Sequence, residues 1–228
     1  MKANQNQMSS RRQRGFSFIE LVVSVSILTV VIGVAIDGIV TFQQRNAVEV
    51  NNVGDTQEAR QFMDQILNDL RQAGYPAIKM YDPTTLTSSV NCSLDYNVGC
   101  GLISVTSTAI QFEGDVDGGG VSEVYIQLVQ PGTATACTTP PCTLQRGTVL
   151  KSVGGTPDYY TEVDNEMVTS VFTAYDYGGN SIGLPASAAN LPNIKNIGIT
   201  LGVRASQADL KTGVFPTITM VSEARINN

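Results

Sequence analysis

From Phe16 to Val40 the chain is one apolar run in which only Glu20 and Asp37 carry charge. At 1.5 Å per residue, such a run spans a bilayer core of about 30 Å as a helix. Further along, Phe62, Met63, Ile66, Leu67, Leu70 and Ala73 recur at spacings of three and four, with Asp64, Gln65, Asn68, Asp69 and Gln72 assigned to the other face. This pattern predicts an amphipathic helix with a single stripe packed onto something. Arg71 in the last turn, Gly74 as a left-handed cap and Pro76 just beyond mark its end. Between the two stretches, Asn51-Asn52-Val53-Gly54 has weak helix propensity and is a place for the helix to bend or end. Continuous from Phe16 to Ala73, the helix would be about 87 Å long at the same rise.

Beyond Tyr75 the helical period is lost. Loop-like sequence with Pro83 and a Thr/Ser run continues to Cys100, and then the period becomes two. Residues 103–106, 109–112, 123–129, 149–153, 167–177, 194–205 and 215–226 read as strands separated by Gly, Pro, Asn and Asp clusters. No second strong helical pattern intervenes. The expected fold class is therefore α+β: a long N-terminal helix, half hydrophobic and half amphipathic, packed against an antiparallel β-sheet head.

Charge sharpens the picture at the N-terminus. The decapeptide Arg11-Arg12-Gln13-Arg14-Gly15-Phe16-Ser17-Phe18-Ile19-Glu20 sets a basic cluster, one glycine and a lone carboxylate at the start of the apolar run. It resembles the class III signal of type IV prepilins and pseudopilins, in which a short basic leader ends in Gly, followed by Phe and by Glu at the fifth mature position. The resemblance implies that a prepilin peptidase cuts between Gly15 and Phe16 and that Phe16 is N-methylated. An ordinary signal peptide fits less well, because its apolar region is shorter and its cleavage site follows that region. A plain membrane anchor, held N-terminus inward by Lys2, Arg11, Arg12 and Arg14, explains the arginines but neither Gly15 nor Glu20.

The segments implied are a leader at 1–15, a transmembrane or filament-core helix at 16–40, its amphipathic continuation at 41–74 and a β-rich head at 75–228. Glu20 lies about 6 Å along a helix from Phe16, so in a lone subunit it reaches headgroups. It acquires a purpose when subunits leave the bilayer and pack helix against helix, since a buried carboxylate then needs a cation; in pilin-like families the neighbouring Phe16 amine is thought to supply it. Asp37 is expected at the outer interface, as a boundary residue.

Composition excludes several chemistries. The leader holds four of the 14 basic residues and none of the 20 acidic ones, leaving a mature chain of 10 against 20, formally −10. Such a surface argues against nucleic acid as the main ligand. Histidine is absent, which removes Ser-His-Asp and Cys-His nucleophiles and every His-ligated zinc site. No enzyme activity and no cofactor are expected.

Cys92, Cys100, Cys137 and Cys142 all lie beyond the membrane segment, where an even count reads as disulfides. Three connectivities are open, and the local pairs Cys92–Cys100 and Cys137–Cys142 are favoured because each ties a short, turn-rich loop. A four-thiolate metal site lacks the repeated spacing it needs. Gly114-Asp115-Val116-Asp117-Gly118-Gly119-Gly120 opens like a calcium loop, with Asp115 and Asp117 as weak metal candidates. It lacks the remaining ligands, and a hairpin turn explains the residues more simply.

The phrase Asp69-Leu70-Arg71-Gln72-Ala73-Gly74-Tyr75, closing a helix ahead of an all-β head, resembles PilW-type minor pilins, relatives of the pseudopilin J family. The resemblance implies a minor pilin of a type IV pilus, acting in initiation of assembly or at the tip. Its partners would be other minor and major pilins, the prepilin peptidase and the inner-membrane assembly platform. Before assembly it would sit in the bacterial inner membrane with its N-terminus cytoplasmic and its head periplasmic, and afterwards in the pilus at the cell surface. The alternatives are a J-like pseudopilin of type II secretion and a tip adhesin, for which Tyr159, Tyr160, Tyr175 and Tyr177 are candidate aromatic contacts.

Overall fold

The computed structural model describes residues 17–77, 92–209 and 211–226. Its α+β architecture is that of pilin-like proteins, with one long N-terminal helix and a curled antiparallel sheet.

Helix α1 runs over Phe18–Arg71 without interruption, so Asn51 to Gly54 neither ends nor breaks it. The weak propensity there is offset by a tertiary contact, the Asp55 carboxylate accepting from the Ser206 amide at 2.8 Å. The last turn tightens through bonds from Gln72 N to Asp69 O and from Ala73 N to Leu70 O. Gly74 then takes φ +80°, the left-handed cap its position anticipates.

Nine strands follow: β1 (Gly101–Val105), β2 (Ala109–Gly114), β3 (Ser122–Val129), β4 (Cys142–Leu150), β5 (Asp158–Glu166), β6 (Phe172–Tyr175), β7 (Ser181–Ile182), β8 (Asn196–Arg204) and β9 (Thr217–Arg225). The sheet order is β1-β2-β3-β4-β5-β8-β6-β7, with β9 on the other edge of β8. It amounts to two meanders. Strands β1 to β5 pair in sequence, β6 to β9 gather around β8, and the two groups share one paired position, Glu166 with Val203.

One apolar core serves both meanders. Ala59, Phe62, Met63, Ile66 and Leu70 of α1 pack in it with alternate residues of the strands, including Phe112, Val124, Ile126, Leu144, Ile197 and Leu201. Period-two burial along β3 shows why these residues form strands here, since every second side chain faces the core.

Several expectations are corrected. The strand expected at 149–153 is the end of β4, and Lys151 to Val153 turn away, with Val153 N donating to Leu150 O. The strand expected at 167–177 shrinks to β6, because the chain crosses between meanders from Met167 to Val171. Strand β5 was not anticipated; its Asp-Tyr-Tyr-Thr-Glu start is exposed and acidic, and so lacks an apolar alternation. Asp69, assigned to the polar face of the helix, is 6 % exposed, because a cation from the sheet meets it there.

Candidate functional site

Two regions carry the candidate residues. In the N-terminal unit, the described helix starts at Phe18, with the Ser17 carbonyl accepting from Glu20 N at 3.0 Å and Leu21 N at 3.1 Å. Glu20 thus lies in the first turn, where a carboxylate complements the positive end of the helix. The apolar side chains from Phe18 to Phe42 are exposed to a degree that water does not tolerate in a packed domain. By length and composition this helix is able to cross a membrane.

The polar residues inside this stretch are dealt with locally. The hydroxyls of Ser24, Ser26 and Thr29 donate to the carbonyls of Glu20, Val22 and Val25, each four residues back. These three hydroxyls are thus satisfied without solvent, as a lipid or packed-helix environment requires. Among the described residues the Glu20 carboxylate has no such partner. Asp37 is within the helix, and Gly15 and Phe16, with the whole leader, lie outside the described residues.

The N-terminal segment matches a family model, the prokaryotic N-terminal methylation motif, over residues 10–36. This chain carries an N-terminal methylation motif. The motif spans Gly15, Phe16 and Glu20 and ends well before the sheet, and with the apolar helix it supports a type IV pilin-like or pseudopilin protein with a structural role and a membrane association. No curated protein and no solved structure matches the chain.

Outside the methylation motif, the second region is the joint between the end of α1 and the sheet. Arg146 of β4 reaches the helix and donates from Nε to Asp69 Oδ2 at 2.8 Å. Burial pushes the Asp69 carboxyl above its usual range, and the Arg146 guanidinium opposes that. Next to the joint, Gly74 N donates to Glu113 O at 2.8 Å and Asp115 N to Tyr75 O at 3.0 Å, so the exit of the helix is stitched to the end of β2. Gly114 sits where a Cβ would collide with the Gln72 carbonyl, which explains a glycine at this close approach.

Lys151, just after β4, is buried with Glu113. Its ammonium donates to Glu113 Oε2 at 2.6 Å, Val98 O at 2.9 Å and Cys92 O at 2.5 Å, and Cys100 N donates to the same Glu113 oxygen at 2.9 Å. The loop is also closed by a Cys92–Cys100 bridge with Cα atoms 5.3 Å apart; Cys137 and Cys142 are bridged at 5.9 Å. Sequence reasoning missed Asp69, Arg146, Glu113 and Lys151. A signal was available, because Arg146 and Lys151 are isolated charges in or beside a strand of otherwise uncharged residues.

Asp115 and Asp117 serve the β2–β3 turn. Asp117 Oδ1 accepts from Gly119 N at 2.9 Å and Asp115 Oδ1 from Gly120 N at 3.3 Å, with Gly118 and Gly120 at φ +76° and +117°. Among the described residues no group of three or more His, Cys, Asp or Glu side chains is placed to hold a metal ion. The four candidate tyrosines are not brought together. Tyr159 meets Tyr125 edge to face at 6.5 Å on β3, where burial and the Glu123 carboxylate push the Tyr125 phenol up to about 12. Tyr175 and Tyr177 stand at the β6–β7 turn.

Proposed function

We propose that the chain is a minor pilin of a type IV pilus, of the PilW-type subfamily, acting in initiation of pilus assembly or at the tip. The observation that carries this reading is the methylation motif at residues 10–36, on a helix whose apolar flank is open before it packs beneath the sheet. Residues 1–15 are the leader, cleaved between Gly15 and Phe16 on the cytoplasmic side, and Phe16 becomes N-methylated. Residues 16–40 hold the subunit in the inner membrane and then in the filament core; 41–74 continue the helix into the head at 75–228.

In the filament, Glu20 pairs with the Phe16 amine of a neighbouring subunit, which gives a charged side chain within an apolar bundle the partner it needs. Major and minor pilins dock on the open apolar flank, and the prepilin peptidase and assembly platform handle the subunit in the membrane.

Gene deletion in a retraction-deficient background tests the assignment, with surface pili counted and secreted exoproteins assayed in parallel. Loss of pili with normal secretion is expected. Normal pili with lost secretion would instead assign the chain to a J-like pseudopilin of type II secretion. For the processing step, mass spectrometry of the filament protein should find N-methylated Phe16 at the N-terminus; an intact leader in assembled filaments would overturn it.

A further inference from the structure

Three open clefts meet at the turn joining β6 to β7. One, of about 520 Å³, extends over Ser181, Asn190 and Asn193; a second, of about 270 Å³, runs to Asn196 and Arg225. Both include Asp176, Tyr177 and Lys195. The third, of about 580 Å³, includes Gly179 of the turn and runs over Tyr175 on β6, Asn196 and Thr200 on β8, and Val221 and Glu223 on β9.

The turn is locked. Asp176 N donates to Asn180 O at 2.9 Å and Gly179 N to Asp176 O at 3.1 Å, while the Asp176 carboxylate accepts from Asn180 N at 2.8 Å and Nδ2 at 3.0 Å. These bonds to Asn180 also hold the Asp176 carboxyl below its usual range, so it stays an acceptor. Tyr177 is carried on this fixed frame with 84 % of its surface exposed, and core packing accounts for neither its ring nor its place. An unpacked aromatic ring carried on a locked turn, in the shared wall of two clefts, has the form of a recognition element.

The chemistry of the walls narrows the ligand. Asp176 and Lys195 balance in the first cleft, Arg225 leaves the second with one net positive charge and Glu223 the third with one net negative charge, so the three together are formally neutral and offer a polyanion no extended positive surface. Asparagine amides and Ser and Thr hydroxyls supply most of the remaining polar groups, a dense mixture of donors and acceptors. A pyranose has the complementary constitution, with hydroxyls around its edge and a C–H face that covers an aromatic ring. An apolar peptide would need a continuous apolar floor, which these walls lack.

We propose that the β6–β7 turn is a binding site for a neutral oligosaccharide, with the Tyr177 ring stacked on one sugar and the flanking amides and hydroxyls bonded to its neighbours. This activity is additional to filament building and is independent of which filament the subunit joins.

The test uses the full-length chain in detergent micelles, titrated calorimetrically with cellohexaose, chitohexaose, mannohexaose and the acidic hexagalacturonate. At least one neutral hexasaccharide binds with a Kd below about 1 mM, and Tyr177→Ala weakens it at least about tenfold. Tyr177→Phe keeps the affinity, because the ring remains, and Tyr160→Ala, at an exposed tyrosine elsewhere, also leaves it unchanged. A thermal melt checks each variant, and Asn193→Ala in the opposite wall gives a second loss of affinity should Tyr177→Ala melt early. The proposal is overturned if no neutral hexasaccharide binds, if hexagalacturonate binds more tightly than all of them, or if neither variant changes the affinity.

Discussion

Glu166 shows how a single side chain can replace a piece of backbone. It is fully buried, and its Oε1 accepts from Gly202 N at 2.7 Å and Val168 N at 2.8 Å, the role a strand carbonyl plays elsewhere, while Oε2 has no hydrogen-bond partner among the described residues. Burial pushes the carboxyl up, and the backbone N–H groups around it pull back only in part. In the folded chain it therefore holds its proton to higher pH than an unfolded glutamate of pKa about 4.3. Above that pH the unfolded state carries fewer protons than the folded one, so this group's contribution to stability declines as pH rises through its folded value. Glu166→Gln keeps both accepted bonds and mimics the protonated acid. Melting temperatures between pH 5 and pH 8 should fall less in the variant than in the parent; equal slopes would show that Glu166 does not titrate there. At Gly114 the expectation is steric. Gly114→Ala should destabilise the head by about 2 kcal/mol, as overpacking does, read by chemical denaturation, because the obstacle is the backbone of α1 and not a side chain that can rotate away.

At the level of elements, α1 and β4 share the apolar core and are joined beside it by one ion pair. Asp69→Ala removes the hydrogen-bonded partner of the mostly buried Arg146 guanidinium and leaves the Glu162 carboxylate as the remaining nearby negative charge, for which about 3 kcal/mol of destabilisation is expected. The double variant Asp69→Leu with Arg146→Met should recover much of that loss, and a double variant as unstable as the single would show that the pair contributes more than charge compensation. Removing the Cys92–Cys100 bridge by paired serines should cost about 2 kcal/mol through loop entropy, read as a lower denaturation midpoint. How much of this was legible in the sequence follows from its physics. Helix α1 announced itself through a three-four stripe and a glycine cap, both local signals. Strand β3 was visible because it alternates apolar and polar residues; β5 was not, because its first half is exposed and its place is set by pairing with β4. The methylation motif is linear sequence and was readable in full, whereas Asp69 with Arg146 depends on residues 77 positions apart meeting in three dimensions.

For the whole molecule, the open apolar helix and the packed head make separable demands. Glu20→Val should leave the thermal melt of the head unchanged and the subunit in the membrane fraction, while its recovery in sheared filaments falls at least about tenfold if a buried ion pair is lost. Undiminished incorporation would exclude the pairing of Glu20 with a neighbouring amine. The sheet is joined across its two groups at more than one place. Strand pairing between them is limited to Glu166 with Val203, with Met167 N on Gly202 O and Gly202 N on the Glu166 carboxylate beside it, but at the other end Val171 N and Phe172 N donate to Ser107 O and Ala186 N donates to Val105 O. A pull that parted β1 to β5 from β6 to β9 would have to break both sets of bonds and open the core they share, so the break in the ladder is closed on either side like a clasp.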